Sequence, residues 1–369
     1  MTKQKVIVSV TNDLSADQRV DKICLTLSEL NFDVVLVGRL RSGSIAVNRP
    51  YKTKRFKLWF NKGALFYANY NIRLFFYLVF QQFNVLWSND LDTLLANYLA
   101  SKLKNKKIIF DSHEYFTEVP ELVDRPKIKA IWKRLEKWIL PNLKYVLTVS
   151  PSIADLYKKE YGIDVKLLRN VPTINKPVFD VENIKIKGKS ILIYQGAVNV
   201  NRGIEYMVEA MQYVTNARLY IFGRGDIFEK INQLIIDLNL QNKVMLMGEI
   251  PFEKLFGYTE QADLGLSLEE DKGLNYRFAL PNKLFNYIQS GLPILCSDLP
   301  EMKNLVNQYQ LGEIIENHDA QHIANKINGM LKDKTKMKFW QQNANLAAKQ
   351  LNWESEKHTI VDLINDNDR

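Results

Sequence analysis

The sequence has few cysteines and no long apolar run, and each shortage excludes a class of protein. Its two cysteines, Cys24 and Cys296, lie far apart in separate apolar patterns. This excludes a disulfide framework and a cysteine-based metal site, and it predicts buried free thiols in a reducing cytoplasm. No window approaches about 18 uncharged apolar residues, so we expect no transmembrane span. The first residues run directly into an apolar strand pattern, so we expect no signal peptide.

Acidic residues are scarce in the N-terminal half, where the net charge of +9 is concentrated. Residues 49–62 carry six basic residues among aromatics and no acid, and they run into the apolar stretch 63–80. This pairing predicts contact of residues 49–80 with an anionic membrane surface or an acidic acceptor. An exposed edge strand followed by a core helix explains the pattern equally well. Nucleic acid is not an expected partner, because no zinc-ligand, KH-type or RNP-type signature accompanies the charge.

The remaining composition is that of a folded protein with two domains. Hydrophobic residues make up 46% and charged residues 25% of the chain, which are ordinary values for a globular protein. A length of 369 residues exceeds what one hydrophobic core usually covers. We therefore expect two domains of ordinary size.

Short apolar, β-branched runs alternate with helical patterns in two series. Strands are predicted at residues 6–10, 34–37, 85–87, 108–110 and 145–149 in the first series, and at 191–194, 218–222, 243–247, 264–268, 294–296 and 313–315 in the second. Helical patterns between them include 17–30, 91–103 and 128–140. This alternation predicts an α/β protein with two doubly wound parallel sheets.

The domain boundary is predicted within residues 171–188, where Pro172 and Pro177 interrupt the periodicity. We assign residues 1–172 to an N-terminal domain and residues 173–348 to a C-terminal domain. A last helix near 353–364 is predicted within residues 349–369, which we expect to return to the N-terminal domain.

Residues 280–295 form the most informative segment. Pro281 suits the first position of a helix that Gly291 ends, and Lys283 lies in its first turn. A cation is unfavourable at this positive end of the helix dipole, unless an anion also docks at the free backbone N–H groups. Asn282 and Asn286 are expected near the lysine on the same side of the helix. The alternative is an amphipathic surface helix with a solvated lysine.

Two glycine-rich turns follow strands of the second series and precede helices. Gly196 permits a tight turn, Gly203 opens a helix, and Arg202 is placed to reach a diphosphate. Gly223 and Arg224 belong to the second turn. Each turn alone is a weak signal, because such turns are common in α/β folds. Together with Lys283 they predict an anion site at one edge of the C-terminal sheet.

Four candidate residues of the N-terminal domain lie near His113, which follows a predicted strand. Ligands bind beyond the carboxyl ends of parallel strands, so His113 is the candidate catalytic residue. Its neighbours at that edge are Arg19, Asp90, Asp92 and Glu114. Ordinary helix capping explains two of these loops equally well, with Ser15 as a cap, Arg19 exposed, and acids in the first turn of the next helix.

The motifs resemble, in order and spacing, the GT-B-fold retaining glycosyltransferases of family 4. They are DQR, SNDLDT, FDSHE, TVS, RNVP, YQGAVNVNRGIE, FGRGD, MGEIP and LPNKLFNYIQSGLPIL. The resemblance runs from Val6 to about Leu363. It implies two Rossmann-like domains that face a cleft, with the nucleotide-sugar donor bound by the C-terminal domain and the acceptor by the N-terminal domain.

The resemblance implies roles for individual residues. His113 matches the cleft histidine of the family, and Asp90, Asp92, Glu114 and Arg19 fall on the acceptor side. The implied donor-binding residues are Gly196, Arg202, Gly203, Gly223, Arg224, Glu249, Ile250, Asn282, Lys283 and Asn286. Backbone groups of residues 248–251 are expected to contact the base. No metal site and no cofactor are expected, because the nucleotide-diphosphate sugar is itself the substrate.

The chain departs from the family pattern at a pair of acidic positions. Many members carry two glutamates separated by seven residues, and these positions are Phe278 and Asn286 here. The second glutamate commonly holds the ribose hydroxyls. Asn286 can still donate and accept hydrogen bonds, and Glu269 or Glu270 is a candidate substitute.

A third departure is Ala197, where an arginine often follows the glycine of the first loop. We expect Arg224 or Lys283 to supply the missing cation.

The expected function is metal-independent retaining transfer of a sugar from a nucleotide-diphosphate donor to a hydroxyl of a glycan or lipid-linked acceptor. The expected location is cytoplasmic, at the inner face of a membrane. A non-catalytic sugar-nucleotide-binding protein and a sugar-nucleotide epimerase of the same fold are the alternatives. The epimerase would need more acid and base groups than His113, Asp111 and Glu114 supply.

Overall fold

The computed structural model describes residues 3–15, 17–174 and 179–366, which form two compact units. Unit 1 consists of Met1–Asn170 and Glu356–Arg369, and unit 2 consists of Val171–Ser355. Pro172 lies at the start of unit 2, where its carbonyl accepts a hydrogen bond of 2.8 Å from the Trp353 backbone N–H. Pro177, the second predicted boundary proline, lies outside the described residues.

Unit 1 contains a seven-stranded sheet in the order β3-β2-β1-β4-β5-β6-β7. Its strands are β1 Lys5–Ser9, β2 Asp33–Leu40, β3 Lys52–Lys57, β4 Val85–Asn89, β5 Lys107–Ser112, β6 Tyr145–Thr148 and β7 Lys166–Leu167. All pairings between them are parallel. Every strand predicted for the first series is present. The strand β3 confirms the alternative of an exposed edge strand within residues 49–62. The edge strand β7 was not predicted, because its short sequence lacks the apolar run of a buried strand.

In the described part of Met1–Asn170, unit 1 has six α-helices. They are α1 Gln18–Glu29, α2 Gly63–Phe80, α3 Leu91–Lys104, α4 Pro120–Val123, α5 Pro126–Ile139 and α6 Pro151–Tyr161. The three helical patterns predicted for this unit match α1, α3 and α5 within two residues. The basic stretch 49–62 contains the exposed edge strand β3, and the apolar stretch after it forms α2. Phe66, Tyr70, Leu74 and Leu78 form the buried stripe of α2, which contributes to the core.

Unit 2 contains a six-stranded sheet in the order β10-β9-β8-β11-β12-β13. Its strands are β8 Ser190–Gln195, β9 Ala217–Phe222, β10 Val244–Gly248, β11 Leu264–Ser267, β12 Ile294–Ser297 and β13 Gly312–Ile315. All pairings between them are parallel. Every strand predicted for the second series is present, so the prediction of two doubly wound parallel sheets is confirmed.

Among the described residues between Val171 and Glu356, nine α-helices connect the strands of the second sheet or follow its last strand. They are α7 Ile204–Ala210, α8 Phe228–Asp237, α9 Phe252–Thr259, α10 Leu274–Arg277, α11 Asn282–Gln289, α12 Pro300–Tyr309, α13 Ala320–Lys332, α14 Lys334–Ala348 and α15 Trp353–Glu356. One large core lies between the sheet and helices that include α7, α8 and α13. In α11 the predicted core face is confirmed, because Leu284, Phe285 and Ile288 are buried.

The terminal segment forms a further helix, α16 His358–Asn365, which belongs to unit 1. The Lys107 ammonium donates to the carbonyl oxygens of Leu363 at 2.5 Å and of Asp366 at 2.8 Å. The prediction of one helix over residues 353–364 was wrong, because a turn at Lys357 separates α15 from α16.

Close backbone packing explains two glycines of unit 2. Gly203 caps α7 with a φ of 71°, and a Cβ there would overlap the carbonyl oxygen of Leu268. Gly223 has a φ of 137°, and its Cβ would overlap the carbonyl oxygen of Gly196. The two glycine-rich turns therefore need these glycines to fit against neighbouring backbone, whatever they bind.

We predict that Gly203→Ala lowers the free energy of unfolding of unit 2 by more than about 2 kcal/mol, because it adds left-handed strain and a backbone clash. Gly329→Ala is the matched control, since Gly329 lies within α13 with no atom near its Cβ position. That substitution should stabilise by about 0.5–1 kcal/mol. Urea unfolding followed by circular dichroism measures both, and equal effects would contradict the packing argument.

Candidate functional site

A buried ion pair lies at the carboxyl edge of the unit 1 sheet. Asp111, near the end of β5, is fully buried. The Arg19 guanidinium at the start of α1 donates to both oxygens of this carboxylate, at 2.6 and 3.1 Å. Arg19 also donates to the carbonyl oxygen of Leu168 at 2.7 Å. Burial raises the pKa of Asp111, but Arg19 and His113 lower it more. The pKa therefore lies well below its usual range, and the carboxyl is ionised at neutral pH.

This arrangement corrects the capping alternative for the first loop. The N-cap of α1 is Asp17, whose carboxylate accepts from the Val20 backbone N–H at 3.1 Å. Ser15 is not the cap, and Arg19 is buried instead of exposed. Asp17 alone satisfies the N-cap of α1, and Arg19 plays no part in it. The arginine is therefore explained by the buried carboxylate and not by helix capping.

His113 directly follows β5 and is surrounded by carboxylates. Its Nε2 lies 3.1 Å from Asn89 Oδ1 and 3.3 Å from Asp111 Oδ2, and its Nδ1 lies 3.5 Å from Asp90 Oδ2. Burial lowers its pKa, but Asp90 and Asp111 outweigh burial and raise the pKa to about 9. His113 is therefore an imidazolium at neutral pH, and 17% of its side chain stays exposed.

The two acids of the next loop take different roles. Asp90 has a left-handed φ of 55° at the N-cap position of α3, but its carboxylate accepts from the His113 backbone N–H at 2.8 Å and does not cap the helix. Asp92 accepts from the Thr11 hydroxyl at 2.5 Å. Burial raises the pKa of Asp92 to about 7, with a smaller contribution from Asp90. Capping therefore does not explain Asp90, whereas Asp92 lies in the first turn of α3, as the capping alternative predicted.

Four of the five predicted residues of unit 1 line one cavity with a volume of about 970 Å³. Asp90, Asp92, His113 and Glu114 contribute to its wall, and its other sides come from α2 and from the segment that leads into α5. Arg19 lies behind this surface, bonded to Asp111. The structure thus brings all the predicted acceptor-side residues of unit 1 together around His113 and Asp111.

A second buried ion pair lies at the carboxyl edge of the unit 2 sheet. The Lys283 ammonium, in the first turn of α11, donates to Glu269 Oε1 at 2.6 Å, and the Ser267 hydroxyl donates to Glu269 Oε2 at 2.7 Å. Glu269 is fully buried and Lys283 nearly so. Burial raises the pKa of Glu269, but Lys283 and Arg202 lower it more, so the carboxyl is ionised.

Sequence analysis predicted an anion near Lys283, and the structure shows that the carboxylate of Glu269 lies there. Because Glu269 neutralises Lys283, the alternative of a solvated surface lysine is wrong. Burial lowers the pKa of Lys283 more than Glu269 raises it. Of the two glutamates suggested for ribose binding, Glu269 has no exposed surface and is committed to the lysine. Glu270 keeps part of its side chain exposed.

The first glycine-rich loop surrounds the same pair. A Cβ on Gly196 would lie 3.4 Å from Lys283 Cε, so the lysine side chain passes directly over this glycine. Arg202 Nη1 lies 3.9 Å from Glu269 Oε1. Lys283 and Arg202 therefore meet at Glu269, and Gly196 lies beside the lysine side chain. Gly203 and Gly223 pack against the backbone of Leu268 and Gly196.

The other predicted donor-binding residues lie in the loops that follow β9 and β10 or on α11. Arg224 is exposed, with its guanidinium 5.1 Å from the Phe228 ring centroid. Glu249 and Asn282 are exposed, and Ile250 and Asn286 are half-buried. These five have no ion pair or side-chain hydrogen bond to Glu269 or Lys283 among the described residues.

Sequence reasoning missed several residues of both sites. Thr11 and the cavity wall of Tyr67 and Trp132, whose rings meet edge to face with centroids 5.1 Å apart, were not predicted. Ser267, which fixes Glu269, was also missed. Thr11 and Ser267 each follow or end a strand at the carboxyl edge, so the strand-end rule contained the signal. The aromatic wall comes from helices, which that rule does not cover.

The described ranges lack two features. Residues 3–15, 17–174 and 179–366 contain no group of three or more histidine, cysteine or acidic side chains placed to hold a metal ion. In the same part of the chain, no helix has both the length and the apolarity needed to cross a membrane.

Two family models match nearly consecutive parts of the chain. Residues 16–173 match Glycosyltransferase Family 4, and residues 176–347 match Glycosyl transferases group 1. The chain belongs to the group 1 glycosyltransferases. The family resemblance of its motifs and the predicted GT-B architecture are thereby confirmed, together with the fold of two parallel α/β units.

Curated relatives agree with this assignment. The glycosyltransferase is 28% identical over 221 residues to poly(glycerol-phosphate) alpha-glucosyltransferase of Bacillus subtilis, covering 56% of this chain and 31% of that protein. It is 24% identical over 175 residues to the O-antigen chain mannosyltransferase RfbU of Salmonella typhimurium, covering 47% of each. These alignments span about a third to a half of the relatives' length.

Solved structures show the same fold over nearly the whole chain. Sucrose-phosphate synthase of Thermosynechococcus elongatus has a TM-score of 0.80 at 18% identity and covers 98% of both chains. HepE of Anabaena, in complex with UDP and glucose, has a TM-score of 0.76 at 13% identity and covers 99% of this glycosyltransferase and 100% of that chain. At these identities the likeness concerns the fold.

We predict that His113→Gln weakens unit 1 in a pH-dependent way. The folded pKa of about 9 exceeds the ordinary value of 6.5, so the imidazolium stabilises the fold below pH 6.5 and this contribution is lost as the pH rises through 9. The difference in the free energy of unfolding between wild type and variant should be larger at pH 6 than at pH 9.5, by up to about 3 kcal/mol.

Urea unfolding followed by tryptophan fluorescence reports this, because Trp59, Trp87, Trp132 and Trp138 belong to unit 1. His358→Gln is the control, since His358 is an exposed histidine of the same unit. A pH-independent difference for His113→Gln would contradict the charged state of His113.

Proposed function

We propose that this glycosyltransferase moves a hexose from a nucleoside-diphosphate sugar to an acceptor hydroxyl, with retention of configuration and without a metal ion. The observation that carries the proposal is the cluster of Lys283, Arg202 and Glu269 beside the Gly196 loop. Two cations and one carboxylate leave one net positive charge there. Fixed cations of this kind stabilise a diphosphate more as its leaving-group charge develops than in the ground state.

Unit 1 would hold the acceptor, in the cavity beside His113. The histidine is an imidazolium at neutral pH, so it serves as a hydrogen-bond donor and not as a general base. In the proposed front-face reaction, the acceptor oxygen forms a bond to the anomeric carbon while the bond from that carbon to the phosphate oxygen breaks. The departing phosphate oxygen accepts the hydroxyl proton, so no dedicated base is needed.

The relatives support a hexose donor on uridine diphosphate. One solved neighbour holds UDP and glucose, and another, a trehalose-6-phosphate protein of E. coli, holds UDP-2-fluoro glucose. The names of two curated relatives specify glucosyl and mannosyl transfer. A non-catalytic sugar-nucleotide-binding protein is the second candidate, because Phe278 and Asn286 replace the two glutamates that many family members carry.

The nucleotide site is tested with a panel of nucleoside diphosphates. A ligand whose free concentration is about a hundred times its dissociation constant stabilises the folded state by about 2.7 kcal/mol. For a unit of this size, that corresponds to a rise in Tm of about 5–10 °C. We expect UDP to produce such a rise. If no nucleotide stabilises the protein, the transferase proposal fails, whereas binding without turnover of any nucleotide sugar favours the second candidate.

We predict opposite effects of two variants at the buried pair. Lys283→Met with Glu269→Gln removes both charges at similar volume, so it avoids an unpaired buried charge and should weaken UDP binding about 10- to 100-fold. Glu269→Gln alone is the matched control. It should lower folding stability, because it leaves Lys283 without its partner, but in the folded protein the ammonium is then available to the diphosphate, so UDP should bind at least as tightly as in wild type. Isothermal titration measures both. Wild-type affinity in the double variant would show that the diphosphate lies elsewhere.

We also propose that residues 49–80 contact an anionic membrane. The exposed face of α2 carries Ile72, Phe76 and Phe80, the last of which is 80% exposed, and the basic strand β3 lies at the adjacent sheet edge. Apolar side chains next to basic ones suit an interface with anionic lipid headgroups.

Co-sedimentation with phosphatidylglycerol-containing and pure phosphatidylcholine vesicles tests this contact. We expect binding to the anionic vesicles alone, and a loss of binding in Phe76→Ser with Phe80→Ser. Phe339→Ser is the control, because Phe339 is an exposed phenylalanine of unit 2. Equal behaviour with both vesicle types would overturn the proposal.

A further inference from the structure

Polar residues such as Asp92 and His113, here called the polar floor, line only part of the unit 1 cavity. Asp92 and His113 occupy one part of the wall, and the cavity extends between α2 and α5 over a volume of about 970 Å³. This is near the upper end of the usual range for ligand sites, about 300–1,000 Å³. A site that orients one hydroxyl at the floor therefore leaves much of the cavity to another part of the same ligand.

Aliphatic side chains form much of the cavity wall outside the polar floor. Its apolar wall is formed by Leu95, Val119, Leu122, Ile128, Ile131 and Leu135. These side chains cannot hydrogen-bond to sugar hydroxyls, so a glycan would lose hydrogen bonds with water there and gain none in return. Ile131 is 66% exposed and Trp138 is 51% exposed in the free protein, so covering this wall would remove apolar surface from water.

Positive charge accompanies this apolar wall. Arg125 and Arg134 also line the cavity, and both are exposed. Glu121 is the one acid among the lining residues from 119 to 138, so this described segment contributes a single net positive charge. A guanidinium matches the geometry of a phosphate oxygen pair, with which it forms bidentate hydrogen bonds. Apolar wall and cationic rim together favour a ligand that joins an apolar chain to an anionic phosphate.

We propose that the acceptor is a sugar joined through a phosphate to a long apolar chain of the alkyl or isoprenoid type. The chain lies along α5 between Leu95 and Ile131, the phosphate contacts Arg125 and Arg134, and the reacting hydroxyl reaches Asp92 and His113. This inference rests on the proposed function and specifies its acceptor class.

The test measures binding of defined probes to the full chain without a donor, by isothermal titration below the micelle concentration. The probes are dodecyl phosphate, dodecyl maltoside, maltohexaose and inorganic phosphate. Dodecyl phosphate should bind at least tenfold more tightly than inorganic phosphate, and dodecyl maltoside more tightly than maltohexaose. Tighter binding of maltohexaose would overturn the proposal and indicate a glycan acceptor.

Matched variants locate the binding. Ile131→Gln should weaken dodecyl phosphate at least fivefold, whereas Leu103→Gln should not, because Leu103 of α3 is similarly exposed, at 65%, but does not line the cavity. Arg134→Gln should weaken dodecyl phosphate more than dodecyl maltoside, and Lys137→Gln is its control, as an exposed cation of α5 outside the cavity. Equal effects within either matched pair would overturn the proposed location.

The result is separable from that of the nucleotide test. If UDP stabilises the protein but the alkyl probes bind no better than the sugar and inorganic phosphate, the acceptor class is wrong and the transferase proposal stands. If the alkyl probes bind in the cavity but no nucleotide binds, the transferase proposal fails and the cavity remains a lipid-phosphate site.

Discussion

Both units bury one carboxylate at the carboxyl edge of a parallel sheet, and each buried charge requires a fixed cation. Asp111 is held by Arg19 in unit 1, and Glu269 is held by Lys283 in unit 2. Breaking either pair by removing one partner would leave an uncompensated buried charge, which typically costs about 3–5 kcal/mol. The first pair therefore fixes α1 against the end of β5, and the second fixes α11 against the loop that follows β11.

The same kind of pair has different consequences in the two units. In unit 1 the carboxylate is shared, because Asp111 also lies 3.3 Å from His113 and helps to keep that imidazole charged on the cavity surface. The positive charge at the cavity surface is therefore that of His113, while Arg19 stays buried. In unit 2 the lysine itself lies over Gly196, so its ammonium has to serve the internal carboxylate and the proposed diphosphate together. Arg202 supplies the charge that this sharing would otherwise lack.

Strands and strand-end loops were predictable because apolar period and glycine position are local signals. The sequence also indicated an anion for Lys283, but it could not identify Glu269, which lies 14 residues earlier and meets the lysine only once β11 and α11 are packed. Arg19 and Asp111 are 92 residues apart, and their contact depends on the strand order of the sheet. The cavity walls were not predictable, because α2 and α5 approach each other through side-chain packing, such as Tyr67 against Trp132, that no periodicity encodes.

The neutral residues Phe278 and Asn286 change how a nucleotide would be recognised. Each absent glutamate leaves the site one unit more positive than the family pattern implies, and Glu269 cannot replace them because it is buried against Lys283. A neutral Asn286 forms weaker hydrogen bonds to ribose than a carboxylate does, but it also adds no repulsion toward phosphate. Donor affinity in this chain should therefore come more from the diphosphate and less from the ribose. Because Lys283 is nearly buried, its contribution should be screened by salt less than that of exposed cations such as Arg224.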